Sequence, residues 1–89
     1  MNAGGQLTEA ECMRLLDHYL DLAMAEKRAT LPADQVPSAE QVARIRLAMR
    51  DEAQRNCVGR TERGRYECAM GARTTRELGA CLTEEREGG

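Results

Sequence analysis

Apolar residues recur every three or four positions near the start of this chain, which is the spacing of one face of an α-helix. They occupy seven positions: Cys12, Leu15, Leu16, Tyr19, Leu20, Ala23 and Met24. Thr8 and Glu11 stand before them with the spacing of a capping box, in which each side chain satisfies the other residue's backbone N–H. The pattern predicts a first helix over about residues 8–29.

A second helical pattern follows Pro32 and Pro37, which interrupt the helix and stiffen the connection. Ser38 and Gln41 form another capping-box pair. Beyond them a stripe carries five apolar side chains at helical spacing: Val42, Ile45, Met49, Ala53 and Cys57. The pattern predicts a second helix over about residues 39–57.

Two shorter helices are predicted in the remaining part of the chain. Thr61 is expected to cap a third helix over about residues 62–72. Thr74 and Glu77 have capping-box spacing and are expected to open a fourth helix. That helix carries three apolar residues: Leu78, Cys81 and Leu82. Strands are not expected, because no segment alternates apolar and polar residues in the way of a half-buried strand.

The composition indicates a core that is thin for a chain of 89 residues, with no Phe, no Trp and only two Tyr. Small domains of this kind usually need covalent staples, and four Cys are present. We therefore predict an all-α fold, a small bundle of two long and two short helices in an orthogonal or hairpin arrangement with two disulfides. Residues 7–82 should form the domain, with flexible tails over 1–6 and the acidic 83–89.

Among the three pairings that four cysteines allow, we prefer Cys12–Cys57 and Cys68–Cys81. In a helical hairpin with its turn near residues 30–37, Cys12 and Cys57 are almost equally far from the turn and face each other. Cys68 and Cys81 flank the predicted turn between the two short helices. Loops of about 45 and about 13 residues should contribute roughly 4 and roughly 3 kcal/mol of stability.

Two other roles for the cysteines stay open at this point. They could be reduced, buried side chains of a cytosolic protein, since free Cys often packs as a small apolar residue. They could also form a Cys₄ metal site, although each ligand would then come from a different helix. There is no C-x-x-C motif, and Cys12 and His18 lie on different faces of the predicted helix. We predict no metal ligand and no cofactor.

The cysteine layout also carries a resemblance. The residues that carry it are Cys12, His18, Cys57, the run Tyr66-Glu67-Cys68-Ala69, the pair Glu77-Leu78, and Cys81. They resemble small cysteine-containing helical domains of exported proteins and lipoproteins of gliding soil bacteria, over about residues 10–82. The resemblance implies export and disulfides and brings no activity with it. We expect a periplasmic or secreted protein in which Met1 stands after a removed leader, with a cytoplasmic location as the alternative.

The net charge of −2 does not favour a general nucleic-acid binder, but the charge is unevenly distributed. Residues 1–40 carry a net charge of −4, residues 41–76 of +5, and residues 77–89 of −3. The main expectation is that the basic middle pairs with its acidic neighbours. The alternative is a face for an anion or an acidic partner, formed by six arginines: Arg44, Arg46, Arg50, Arg60, Arg63 and Arg65.

The sequence predicts an interaction or structural module rather than an enzyme. It contains no nucleophile-elbow, P-loop or dinucleotide-binding motif. Asp17, His18 and Asp21 could serve acid–base chemistry, but a solvated polar face of the first helix explains them better. We expect another protein as the partner, no catalysis and no membrane span. The alternative is an intracellular Arg-rich helical domain that binds nucleic acid or another polyanion.

Overall fold

Helices account for most of residues 7–83, the part of the chain that this computed structural model describes, and no strand occurs there. The elements are α1 (Glu9–Thr30), a 3₁₀ turn (Ala33–Gln35), α2 (Ala39–Cys57), α3 (Arg63–Met70) and α4 (Thr75–Thr83). The prediction of two long and two short helices in an all-α fold is confirmed. The predicted tail over 1–6, and all of the predicted tail over 83–89 except Thr83, lie outside the described residues.

Reciprocal capping boxes start both long helices. At α1 the Glu11 N–H donates to Thr8 Oγ1 over 3.1 Å, and the Thr8 N–H donates to the Glu11 carboxylate over 2.9 Å. At α2 the same two bonds join Ser38 and Gln41, at 3.2 and 2.8 Å. Each box satisfies backbone N–H groups that have no partner inside the helix. The predicted starts are therefore within one residue of the observed ones.

The end of α2 depends on a glycine. The Val58 N–H still donates to the Gln54 carbonyl, and the next residue, Gly59, has a φ of +76°. Only a residue without a Cβ adopts this left-handed conformation at little cost. The reversal lets the N–H groups of Arg60 and Thr61 donate to the Cys57 carbonyl. The chain then turns directly into α3.

The short helices differ from the prediction at their starts. Thr61 does not cap α3, because the N-cap residue is Glu62, and the Thr61 hydroxyl instead donates to the Asn56 carbonyl. The helix is also shorter than predicted, ending at Met70. The local sequence pattern could not predict which residue caps α3, because the Thr61 N–H and hydroxyl both bond to carbonyl groups at the end of α2.

The fourth helix has half of the capping box that the sequence predicted. The Glu77 N–H donates to Thr74 Oγ1 over 3.0 Å, as expected. The Glu77 carboxylate, however, accepts from the Arg73 N–H over 2.9 Å, one residue earlier than in a standard box. Thr83, which we expected to begin the tail, is the last residue of α4.

Two helical hairpins share α1 as their common support: α2 packs along α1, and the α3–α4 pair packs against it. The two disulfides lie within these hairpins, with Cα–Cα distances of 5.9 Å for Cys12–Cys57 and 5.7 Å for Cys68–Cys81. The preferred pairing is thereby confirmed. Eight residues form the main buried cluster: Leu7, Cys12, Leu15, Cys57, Tyr66, Ala69, Ala72 and Leu78.

Helix α2 contributes little to this core. Of its 19 residues only Cys57 is buried. Ile45, which belongs to the predicted apolar stripe, keeps 40% of its surface exposed, and Leu47 on another face keeps 63%. The stripe is real, but α1 covers it only in part. The disulfide joins the last residue of this helix covalently to α1.

Candidate functional site

An apolar pocket of about 180 Å³ opens where α1, α2 and the α3–α4 pair meet. We call it the hairpin pocket. Eight residues line it: Cys12, Leu15, Leu16, Ala53, Asn56, Cys57, Thr61 and Leu82. Six of them are apolar, and the two polar residues, Asn56 and Thr61, already share the hydrogen bond described above.

Helical spacing builds this pocket from both sides. On α1, Leu15 and Leu16 lie one turn after Cys12, so that all three lie near one another. On α2, Ala53 lies one turn before Cys57. The disulfide fixes the separation of the two helices at this level, and the small side chain of Ala53 leaves the space between them unfilled. We therefore attribute the hairpin pocket to the position of the small Ala53 side chain beside the Cys12–Cys57 disulfide.

The size of the pocket decides what it can hold. A cavity of roughly 150 Å³ accommodates a benzene-sized group. Pockets for drug-sized molecules or cofactors are larger, at about 300–1,000 Å³. The hairpin pocket therefore fits a single apolar side chain of a partner, and it is too small for most organic cofactors.

Further apolar side chains recur at helical spacing beyond the pocket, on both helices of the α1–α2 hairpin. Tyr19 lies one turn beyond Leu15, and it is 37% exposed. On the other helix Met49 lies one turn before Ala53, and Ile45 lies one turn before Met49. The hairpin is antiparallel, so that Tyr19 and the segment from Ile45 to Met49 lie at a similar level. We call the hairpin pocket together with Tyr19, Ile45 and Met49 the apolar strip.

An ion pair joins the two long helices. Arg46 of α2 donates through Nε and Nη2 to the Asp17 carboxylate of α1, the second bond measuring 3.2 Å. The hydrogen bonds that Arg46 donates to Asp17 raise the pKa of Arg46 above its ordinary value. The two side chains remain about two-fifths exposed, so that the pair positions the helices more than it stabilises them.

A second ion pair joins α3 to α1. Arg63 donates to both oxygens of the Glu11 carboxylate, at 2.9 and 3.1 Å. These bonds, together with the one from the Thr8 N–H, lower the pKa of Glu11 from 4.5 to about 2. Glu11 thus caps its own helix and anchors the start of α3. This double role follows from its position in the first turn of α1.

Two further contacts hold the α3–α4 pair on α1. His18 Nε2 lies 3.0 Å from the Ala72 carbonyl, and because a carbonyl only accepts, the ring nitrogen is the donor. Glu26 accepts from the Thr75 N–H and hydroxyl at 2.8 and 2.7 Å, and these bonds lower the pKa of Glu26. Asp17 thus contacts α2 and His18 contacts the turn between α3 and α4, so that the predicted solvated face is only partly correct: the Asp17 side chain is 45% exposed, and Asp21 is exposed as expected.

The six arginines of the predicted basic face have different surroundings, although Arg46 and Arg50 line one pocket together. Arg46 and Arg63 pair with carboxylates of α1, and Arg65 donates to the Leu82 carbonyl over 3.2 Å. Arg50 lies 3.9 Å from the Asp51 carboxylate. Arg44 and Arg60 are exposed. On α2, Arg44 and Arg46 are two residues apart and project from opposite sides of the helix.

The described part of the chain contains neither a cluster of metal ligands nor a membrane-spanning helix. Over residues 7–83, no group of three or more His, Cys, Asp or Glu side chains is placed to hold a metal ion, and all four cysteines are in disulfides. No helix in that range has the length and apolar character needed to cross a bilayer.

No family model, curated protein or solved structure matches this chain. Function is therefore inferred from the geometry of the apolar strip and from the disulfides. The sequence did not reveal the strip, because its periodicity indicated core residues. In the structure α2 carries a full apolar stripe, and its main contacts are with α1.

Proposed function

We propose that this chain is an exported, disulfide-stabilised helical module that binds another protein through its apolar strip. The partner inserts one apolar side chain into the hairpin pocket and covers Tyr19 and Ile45 beside it. The observation that supports this proposal is the open apolar pocket between α1 and α2, beside the Cys12–Cys57 disulfide that joins these two helices. The role is binding without catalysis.

The energetics of protein interfaces support a single anchor. A few well-packed side chains, often in a pocket at the centre of the interface, carry most of the binding energy. Burying one large apolar side chain contributes about 1.5–3 kcal/mol. The neighbouring exposed side chains, Tyr19 at 37% and Ile45 at 40%, supply the surface that surrounds such an anchor and excludes water.

The side chains that could perform acid–base chemistry support binding rather than catalysis. Asp17, Glu11 and Glu26 each accept hydrogen bonds from another helix, and His18 donates to the Ala72 carbonyl. A catalytic group must be free to exchange a proton with a substrate. These groups instead position the helices that form the pocket.

The disulfides and the cysteine layout support the exported location. Two intact disulfides in 89 residues are typical of proteins in an oxidising compartment, and small exported domains often depend on them. The resemblance to cysteine-containing domains of exported proteins agrees with this. We therefore propose a periplasmic or secreted protein.

Photo-crosslinking in the cells that produce the protein tests the binding site. Tyr19 is replaced by p-benzoylphenylalanine, and the control carries the same group at Arg76, an exposed position on α4. We expect a discrete adduct from position 19 that is absent from position 76. Identical adducts at the two positions, or none at position 19, would contradict the proposal.

Filling the pocket provides the matched control. Ala53→Phe places a large side chain in the space that the partner's anchor would occupy, whereas Ala48→Phe places the same side chain on the exposed surface of the same helix. We expect Ala53→Phe to abolish the adduct and Ala48→Phe to leave it, with unchanged helical circular dichroism in both. An adduct that survives in the Ala53 variant would place the partner elsewhere.

Thiol trapping tests the compartment. Cells are quenched in acid, unfolded and treated with a maleimide reagent before any reduction. We expect the protein to carry no maleimide, because all four cysteines are paired in the cell. Four modified thiols in freshly quenched cells would overturn the exported location while leaving the pocket to be tested separately.

A further inference from the structure

The two disulfides differ in their access to solvent. Cys12 and Cys57 are buried, with 1% and 5% of their surfaces exposed, and both belong to the main core cluster. Cys68 is exposed, and its partner Cys81 is half-buried at the edge of the core. The chain thus has one cross-link inside the protein and one at its surface.

Accessibility controls thiol–disulfide exchange, because an attacking thiolate must reach one of the sulfurs. We propose that Cys68–Cys81 is a site of reversible thiol–disulfide exchange with a dithiol, either a small molecule or a reductase, and that Cys12–Cys57 is a permanent structural bond. This goes beyond the proposed binding function and does not depend on it.

The chemistry is a two-step transfer. A thiolate of the dithiol attacks Cys68 Sγ, a new S–S bond forms, and the electron pair of the old bond leaves with Cys81 Sγ, which takes a proton. The second thiol of the reagent then loses its proton and attacks the reagent's first sulfur, which is bonded to Cys68 in the mixed disulfide. This attack releases Cys68 as a thiolate, which is then protonated. The dithiol is oxidised to a disulfide, and the Cys68–Cys81 disulfide is reduced to two thiols.

The difference between the two sulfurs indicates which one is attacked. The Cys68 residue is exposed on α3, whereas Cys81 packs against the core from α4. A nucleophile therefore reaches Cys68, and Cys81 is the leaving group. After its release Cys81 stays close to Cys68, because other contacts keep α4 attached to the protein.

Those contacts make the exchange reversible. Glu26 of α1 accepts two hydrogen bonds from Thr75 at the start of α4, and Arg65 of α3 donates to the Leu82 carbonyl near its end. Leu78 between them is 97% buried, with 3% of its surface exposed. With both ends and the middle of α4 held, the reduced protein keeps Cys68 and Cys81 near each other for reoxidation.

Limited reduction of the native protein tests the proposal. The full chain is incubated with dithiothreitol, quenched with acid at intervals, alkylated and mapped by peptide mass spectrometry. We expect Cys68 and Cys81 to be alkylated at least about tenfold faster than Cys12 and Cys57. In strong denaturant, where both bonds are accessible, the two rates should agree to within about threefold. Equal rates in the native protein, or faster opening of Cys12–Cys57, would overturn the proposal.

Glutathione shows which sulfur reacts. A brief exposure to reduced glutathione, stopped in acid before rearrangement, leaves a mixed disulfide that peptide mapping can assign. We expect the glutathione on Cys68. Glutathione mainly on Cys81 would contradict the assigned direction of attack. Circular dichroism of the reduced protein and its recovery of the Cys68–Cys81 bond in air test reversibility, and loss of helical structure or formation of other pairings would contradict it.

Discussion

The two helical hairpins of this protein are held together by different means. The α1–α2 hairpin is long, yet α2 buries only Cys57, and its cross-link lies inside the core. The α3–α4 hairpin is short, yet it buries Tyr66, Ala69 and Leu78, and its cross-link lies at the surface. Helix α2 thus buries one of its 19 residues, whereas α3 and α4, with 8 and 9 residues, bury three between them.

The difference shows what each disulfide provides. In the long hairpin the covalent bond adds to sparse packing, and much of α2 stays exposed. In the short hairpin packing and hydrogen bonds to α1 also hold the helices, so that we expect the fold to survive the loss of its disulfide. Removing a disulfide or shortening a leucine side chain should therefore affect stability and structure differently in the two hairpins.

Loss of the buried disulfide should have the largest effect. Replacing Cys12 and Cys57 together by Ala removes a cross-link that spans 45 residues, and the chain-entropy model gives a loss of about 4 kcal/mol. We expect chemical denaturation to show this loss, with α2 detaching from α1. A loss no greater than that in the Cys68→Ala/Cys81→Ala variant would contradict the comparison.

Loss of the exposed disulfide should cost less. Its cross-link spans 13 residues, which corresponds to about 3 kcal/mol in the same model. We also expect the structure of this variant to be retained, with α4 remaining on α1. The nuclear magnetic resonance signal of the Thr75 amide, which donates to Glu26, should keep its hydrogen-bonded position. Detachment of α4 in this variant would show that the bond, and not the packing, holds the short hairpin.

A pair of leucine substitutions compares burial directly. Leu78 of α4 is 3% exposed, and Leu47 of α2 is 63% exposed. We expect Leu78→Ala to cost about 2–3 kcal/mol, because it leaves a cavity in the core, and Leu47→Ala to cost less than about 0.5 kcal/mol. Thermal or chemical unfolding measures both. Similar costs for the two would mean that α2 is packed as well as α4.

Much of the fold could be predicted because its determinants are local. The capping boxes at Thr8 and Ser38 need only neighbouring residues, and the apolar period of each long helix is also a local pattern. The disulfide pairing also followed, because a hairpin of known turn position brings particular cysteines to the same level. The predicted cap of α3 was wrong, since Thr61 takes part in the preceding turn and Glu62 is the N-cap residue.

The candidate site could not be predicted, because it depends on distant contacts. The pairs Asp17–Arg46, Glu26–Thr75 and His18–Ala72 join residues 29, 49 and 54 positions apart, and no local pattern marks them. The hairpin pocket arises from how far α1 and α2 stand apart. An apolar stripe has the same period whether a neighbouring helix covers it or leaves it open.

The smallest expected effect is a pH dependence at the base of α3. Glu11 has a pKa of about 2 in the folded protein, below its ordinary 4.5, so that its contacts stabilise the fold above pH 4.5 and are lost as the pH falls toward 2. We expect the stability of the wild type to fall more steeply over this range than that of Glu11→Gln. Parallel curves for the two proteins would show that the Arg63 contact contributes nothing.

Amide hydrogen exchange of the oxidised protein tests the contrast between the hairpins most directly. We predict that amides of α3 and of α1 around Leu15 exchange only on global unfolding. Amides in the first half of α2 should exchange at least about tenfold faster, with protection rising toward Cys57. Equal protection along α2 and α3 would contradict the account, because α2 would then be held by packing along its length and not chiefly by its disulfide.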